Sequence, residues 1–538
     1  MQAKTTPAQI WDEYQRGLGY NDSLRLNETV DRCEKFFSGD QWAGVQAKHL
    51  HKVVMNFLRR DVNYFVSIIV SDDIGVALSE YHQEDGQSQY RQILDMLQDE
   101  LDAVMERCKF RQLCRRTIRD AAVDGDGCIH FYFDVDRDAR YMRGQTAGQI
   151  AAEMVDNTSV FFADPQSDDV QTQRYILISF RRLVEDAKEL AERNGQDPDL
   201  ISEDGARSGV NRAEDNEHGK VTIVRKYWKQ NGEVWFTDVS ESAVITPPTN
   251  SGYTLYPLVW FPWERQKNRY HGKSAIDVSI PNQIFINKAY AMAMRCLENG
   301  AFPKTYVSSM LNWSNTVGEV IRVPAGMNVN DLVATNSKPV EISSQLMQFI
   351  QQTISDTQAS VGASDAALGD INPTNASAII AVQNATAFPL ALQKMEFYDM
   401  VDQSVRIWLD MIPVKYGVRE TAIGQPEMAY QPVTGADGLV TETVKPTGKM
   451  IKVKTLFDFS QIQNININVN VDVGAAAYWS ELTQTATLSN LMASGLPLEI
   501  GMKHTPRNQI PDKQEILDEY KEFVQAQQAQ IQAAPPVA

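Results

Sequence analysis

Three observations predict an α+β fold for this chain. Apolar residues recur at helical spacing through the N-terminal quarter and through two long central stretches. Between these lie short apolar segments separated by turn residues, with Asn231-Gly232 set between residues 221–229 and 234–239. Farther on, Ile462, Ile465, Ile467, Val469, Val471 and Val473 run almost in alternation with polar residues, the period of a strand with one buried face. The 538 residues, 43% hydrophobic and 22% charged, suit two or three domains with ordinary packed cores.

Taken in order, Asn21 or Asp22 is placed to cap a helix running to Phe37, which Ser38-Gly39 ends. Helices follow over residues 53–70 and 87–122. The latter carries Arg107, Lys109, Arg111, Arg115, Arg116 and Arg119, a charge run that suits a solvated face, an intersubunit contact or a nucleic-acid contact. Strands are predicted at 128–133, 175–180, 221–229 and 234–239. Asn-Gly between the last two tolerates the positive φ angles of a tight hairpin turn. Residues 194–220 are polar and read as a surface excursion.

Helices then return. Pro281 suits a first helical turn, and the helix runs to Glu298, where Asn299-Gly300 supply a stop. Eighteen residues make it roughly 27 Å long. A compact mixed segment, 304–307 and 317–323 with the turn Pro324-Ala325-Gly326, precedes a helix capped by Ser343 or Ser344 and ending near Val361. Residues 362–376 form a loop, and residues 377–411 a helix of roughly 50 Å. Pro413 stops that helix and Pro389 kinks it, because proline lacks the amide hydrogen and its ring clashes with the preceding turn. Residues 415–473 read as β structure, 480–527 as helix, and the Gln/Ala/Pro-rich end at 528–538 as disordered.

Composition excludes several classes. The five cysteines are scattered, form no C-x-x-C pair and do not cluster with the seven histidines, which fits reduced thiols better than disulfides or zinc. No signal peptide and no membrane span is expected. With 51 basic and 69 acidic side chains, the formal net charge is −18, so the chain as a whole repels polyanions. Gly272-Lys273-Ser274 ends like a phosphate loop, but Lys267 stands where the earlier glycine is needed. Asp134, Asp136 and Asp138 begin like a calcium loop, but Ala139 and Gln145 occupy its glycine and glutamate positions. Asp124-Gly125-Asp126-Gly127 reads as a turn into the 128–133 strand. Nothing points to catalysis, a metal or a cofactor.

Three stretches in order carry a family resemblance: Phe36-Phe-Ser-Gly-Asp-Gln-Trp42; Tyr270-His-Gly-Lys-Ser-Ala-Ile-Asp277 with the following helix ending Glu298-Asn-Gly-Ala-Phe-Pro-Lys304; and Val361-Gly-Ala-Ser-Asp-Ala-Ala-Leu-Gly-Asp370 leading through Asn375-Ala-Ser-Ala378. Together, from Phe36 to about Tyr520, the chain resembles the portal proteins of tailed double-stranded-DNA bacteriophages. The resemblance implies a ring, a dodecamer in that family, at one capsid vertex of the virion, assembled in the host bacterial cytoplasm. Residues 1–270 would form the helical and α/β wing, 271–300 the first stem helix, 301–342 the clip and 343–361 the second stem helix. Residues 362–376 would be the tunnel loop, 377–412 the long kinked wing helix, 413–475 a β-rich wing portion, 476–527 the helical crown and 528–538 the tail. The implied partners are the DNA in the channel, the terminase large subunit that supplies packaging energy, major capsid protein, scaffolding protein and head-completion adaptors, with no membrane.

On this reading Gly362, Gly369 and Pro373 allow sharp turns in the tunnel loop, while Asp365, Asp370, Asn372 and Asn375 keep its tip wet. Lys288 and Arg295, seven residues apart on one helical face, suit either DNA or the acidic groups of a neighbouring subunit. An acidic wall with few basic groups lets DNA pass without sticking. Two other readings remain: another virion connector or minor head protein, and a metal-dependent nucleic-acid enzyme.

Overall fold

The computed structural model describes residues 6–46, 50–70, 74–80, 91–135, 148–204, 219–301, 305–309, 322, 325–326, 328, 333–335, 344–360, 388–434, 440–464 and 467–473. The chain divides into two units, Met1–Val70 with Leu78–Val469, and Ser71–Ala77 with Asn470–Ala538. The first is mixed helix and antiparallel sheet, an α+β arrangement.

Helices α1 (Pro7–Ser23) and α2 (Leu26–Ser38) are parted by Arg25, which adopts the left-handed conformation at φ 51°. The helix predicted to start at Asn21 therefore starts later. Asn21 itself is buried in α1, and its amide donates to the Thr158 carbonyl at 3.3 Å. Gly39, at φ 102°, ends α2 as predicted. Helix α3 (Phe57–Ile69) is capped by Asn56, whose Oδ1 accepts from the Arg59 N–H. Strand β1 (Ile74–Glu80) follows. The single helix predicted over 87–122 is two, α4 (Arg91–Arg107) and α5 (Phe110–Asp124). Lys109, at φ 49°, breaks them, and a left-handed residue cannot continue a helix.

Strands β2 (Asp126–Asp134), β3 (Gln149–Val155), β4 (Val160–Phe162) and β5 (Tyr175–Leu183) lead to helix α6 (Val184–Arg193). Then come β6 (Lys220–Gln230), β7 (Glu233–Val239), β8 (Val244–Asn250) and β9 (Leu258–Pro262). The strands β4 to β8 form one antiparallel sheet in sequence order, and β3-β2-β9 form another. The Asn231-Gly232 turn is as predicted: both residues have positive φ, and Gln230 faces Glu233 across it. The predicted excursion at 194–220 is packed at its start. Ile201 is buried, and Asp204 pairs with Arg181 at 2.7 Å; residues 205–218 lie outside the described set.

Helix α7 (Ile280–Ala301) runs through Asn299-Gly300, so that pair does not stop it. In the predicted clip, β10 (Thr305–Val307) pairs with β11 (Val333–Thr335), and most of the rest lies outside the described residues. Helices α8 (Ser344–Ser360) and α9 (Ala391–Lys415) follow. Pro389 lies in a 3-10 turn, Phe388–Leu390, ahead of α9, not inside an α-helix. Pro413 lies within the last turn of α9, and the helix ends at Tyr416-Gly417 instead. A long hairpin, β12 (Val418–Thr434) with β13 (Val440–Asp458), leads to β14 (Ile467–Val473), which pairs with β1. Ile462 belongs to a 3-10 helix, Phe459–Asn464, so the strand period begins later than predicted. The expected crown and tail, 476–538, lie outside the described residues.

Helix α1 lays Ile10, Trp11 and Tyr14 onto Phe161, Leu177, Val224 and Val239 of the five-stranded sheet. A second centre forms where Trp408 of α9 meets Phe110 of α5 and Phe131 of β2 edge-on, with ring centroids 4.9 and 5.5 Å apart. Burying such side chains contributes about 1.5–3 kcal/mol each.

Candidate functional site

Helices α7 and α8 stand out because the chain anchors them by polar contacts and leaves several large apolar side chains exposed on them, among polar ones. Pro281 lies in the first turn of α7, where a missing amide hydrogen costs nothing. The two helices meet through Phe285 and Phe349, edge-to-face at 5.8 Å, and through Asn282, whose amide donates to Thr357 Oγ1 at 2.9 Å.

The root of α7 is held by buried amides. Gln283 Nε2 donates to the Met55 carbonyl at 2.7 Å and to Asn287 Oδ1 at 2.9 Å. Asn287 Oδ1 also accepts from the Met55 N–H, and its Nδ2 donates to Gln41 Oε1 at 2.5 Å. Gln41 in turn donates to the Phe36 carbonyl, and Trp42 Nε1 donates to Val53 O. The Phe36–Trp42 stretch and the helix after Pro281, far apart in sequence, are therefore one structural joint. Sequence reasoning quoted both stretches but assigned Gln41, Gln283 and Asn287 no role, because a buried amide and a solvated one look alike in one dimension.

The segment entering α7 is fixed by a second buried joint. Asp126 Oδ2 meets His271 Nδ1 at 2.7 Å, and its Oδ1 accepts from the Gly272 N–H at 2.5 Å. Ser274 Oγ donates to the Val123 carbonyl at 2.6 Å. Gly272 must be glycine: a Cβ there would lie 2.7 Å from the Gly125 carbonyl oxygen. The Gly272 amide that a phosphate loop would offer is already donated to a carboxylate.

At the far end of α8, Gln358 donates to Asp61 Oδ1 at 3.2 Å. Both residues are buried, and Asp61 Oδ2 has no hydrogen-bond partner among the described residues. Burial pushes the Asp61 carboxyl up to about 7, against the smaller opposing pulls of Gln358 and Arg60.

The outer faces are different. Ile284, Phe285, Met292, Met294 and Leu297 of α7, and Met347 and Phe349 of α8, are all exposed. Lys288 and Arg295 are exposed on α7 and share a face, as their spacing predicts. Gly362, Asp365, Gly369, Asp370, Asn372, Pro373 and Asn375, expected to form a tunnel loop, lie outside the described residues.

Oxygens of Glu34, Asp120 and Asp124 lie within 4.8 Å of one another. Arg119 already reaches into this group, with its Nη2 2.7 Å from Glu34 and its Nη1 2.9 Å from Asp120. Burial, then the charges of Glu34 and Asp120, push Asp124 up to about 9, so it holds a proton at neutral pH. An arginine and a protonated acid make an ion-pair network, a poor fit to a cation cage. All five cysteines are free. Among the described residues no helix is long and apolar enough to cross a membrane.

No protein-family model matches the chain, and neither does any curated protein.

Proposed function

We infer that the chain is a portal protein: a ring-forming subunit, dodecameric by family resemblance, through which double-stranded DNA enters and leaves a bacteriophage capsid. One observation carries the reading. The α7–α8 pair is rooted in the subunit by buried amides yet keeps seven large apolar side chains exposed, an arrangement that neighbouring copies of the same pair would bury. In this reading α7 and α8 are stem helices, residues 301–342 between them are the clip, residues 362–376 are the tunnel loop, and the sheets with α9 are the wing. The ring sits at one capsid vertex and meets the terminase large subunit, major capsid protein, scaffolding protein and later the head-completion adaptors. It does no chemistry of its own.

Native mass measurement with electron-microscope class averages tests this. The expected result is a closed ring with a central pore; a protein that stays monomeric at every salt and protein concentration overturns it. Replacing Asp370 and Asn372 with bulky apolar residues should then spare the ring and impair packaging. Normal packaging by full rings of that variant overturns the tunnel-loop assignment.

A further inference from the structure

In a chain of net charge −18, two neighbouring arginines of α5 lie exposed on one groove. Arg115 and Arg116 of α5 are exposed and line a shallow groove of about 390 Å³ with Arg119, Asp120 and Met154. Arg119 is engaged inside the chain, by Glu34 and Asp120 and over the Phe37 ring at 4.5 Å. Arg115 and Arg116 have no carboxylate partner among the described residues.

A complementary face lies on α9. Leu392 (71% exposed), Met395 (62%) and Asp399 follow one another at i, i+3 and i+7, along one side of the helix. The neighbouring acids are neutralised: Glu396 by Arg265 at 2.9 Å and Asp402 by Arg406 at 2.7 Å. Asp399 makes no close ion pair among the described residues; desolvation, then Glu396 and Asp402, push its carboxyl up against the weaker pull of Arg265, which is bridged to Asp168 and Glu396. Helix α3 packs against both α5 and α9, whose Phe110 and Trp408 rings meet, while Arg115 and Arg116 on one helix and Leu392, Met395 and Asp399 on the other stay exposed.

We propose that these faces join neighbouring copies of the chain, the Leu392–Met395 edge seating against Met154 while Asp399 pairs with Arg115 and Arg116 of the next copy. Two different patches meeting head to tail make a heterologous joint, the kind that closes into a ring. The proposal rests on the ring reading above and names a second contact, outside the helix pair. A nucleic-acid strand suits the groove less well. Its evenly spaced phosphates would run over Asp120 and the adjoining Glu34 and Asp124, whereas this helix face offers one free charge beside two apolar side chains.

The test is a charge swap in the full chain, read by the protein concentration at which rings form. Arg115→Glu with Arg116→Glu, or Asp399→Lys alone, should raise that concentration about tenfold or more, and combining them should restore it. Separately, Arg116→Cys with Asp399→Cys should give, on oxidation, a ladder of covalent multimers that neither single cysteine gives. Unchanged ring formation by both charge variants and no ladder would overturn the joint while leaving the ring intact. A wild-type protein that forms no ring overturns the ring reading instead. If the arginine variant forms normal rings but loses duplex DNA binding, the groove belongs to nucleic acid and the joint is wrong.

Discussion

The aromatic centre around Trp408 and the helix pair α7–α8 handle large side chains in opposite ways. Trp408, Phe110 and Phe131 are enclosed by elements of the same chain. Leu297 and Phe349 stand 57% and 58% exposed, on helices whose roots are held by buried side-chain hydrogen bonds. The lesson is that rigidity and apolar burial are separable. The centre is closed by its own chain, while the helix pair is rooted by buried amides and keeps large apolar side chains exposed. A monomeric protein seldom leaves so much apolar surface in one place.

The sharpest way to break this comparison is to damage the centre. Trp408→Ala should cost about 3–5 kcal/mol, because a cavity opens where the indole met two rings and the surrounding sheet cannot collapse into it. A large fall in melting temperature with loss of rings is expected. A wild-type melting temperature would mean that the Trp408 cluster does not support the fold.

Asp61 probes the seam between the two regions, since it sits on α3 and bonds α8 through Gln358. Its folded-state value, about 7, lies above the ordinary 3.8, so the folded protein keeps a proton that the unfolded chain has lost. Stability from this group is full below about pH 4 and is lost as pH rises through 7. Asp61→Asn removes the dependence. The variant should match wild type near pH 4 and be the more stable above pH 7, by at most about 4 kcal/mol for a shift of this size. Melting curves of both proteins across that range give the answer, and a constant difference would mean that Asp61 is ionised throughout.

How much of this was legible beforehand follows from the range of the forces. The Asn231-Gly232 hairpin, Gly39 as a stop and Pro281 at a helix start are local chemistry, and each stands where the sequence puts it. The breaks at Arg25 and Lys109 were missed because neither residue type announces a left-handed conformation. Asn299-Gly300 and Pro413 were misread for the converse reason: α7 and α9 continue through residues that weaken a helix without forbidding it near its end. The site divides likewise. Lys288 and Arg295 share an exposed face as spacing alone requires. The Gln41–Asn287–Gln283 joint spans more than two hundred residues, and no local pattern encodes it.

The smallest effect on the fold should come from the most informative pair of substitutions. Ile284 and Ile286 are two residues apart on α7, one 36% exposed and the other fully buried. Ile286→Asp places an unpaired carboxylate inside the subunit and should destabilise it by several kcal/mol. Ile284→Asp points its charge outward, where water solvates it in the separated subunit, so monomer stability should change by no more than about 0.5 kcal/mol. In a ring the same carboxylate is desolvated against the next copy, with only Lys288 one turn along its own helix to offset it, and assembly should fail. The expected signature is a folded monomer with an unchanged melting temperature and no ring by native mass. Rings forming normally from Ile284→Asp would show that this face of α7 meets no neighbour, and the outward apolar residues would then need another explanation than the stem of a portal.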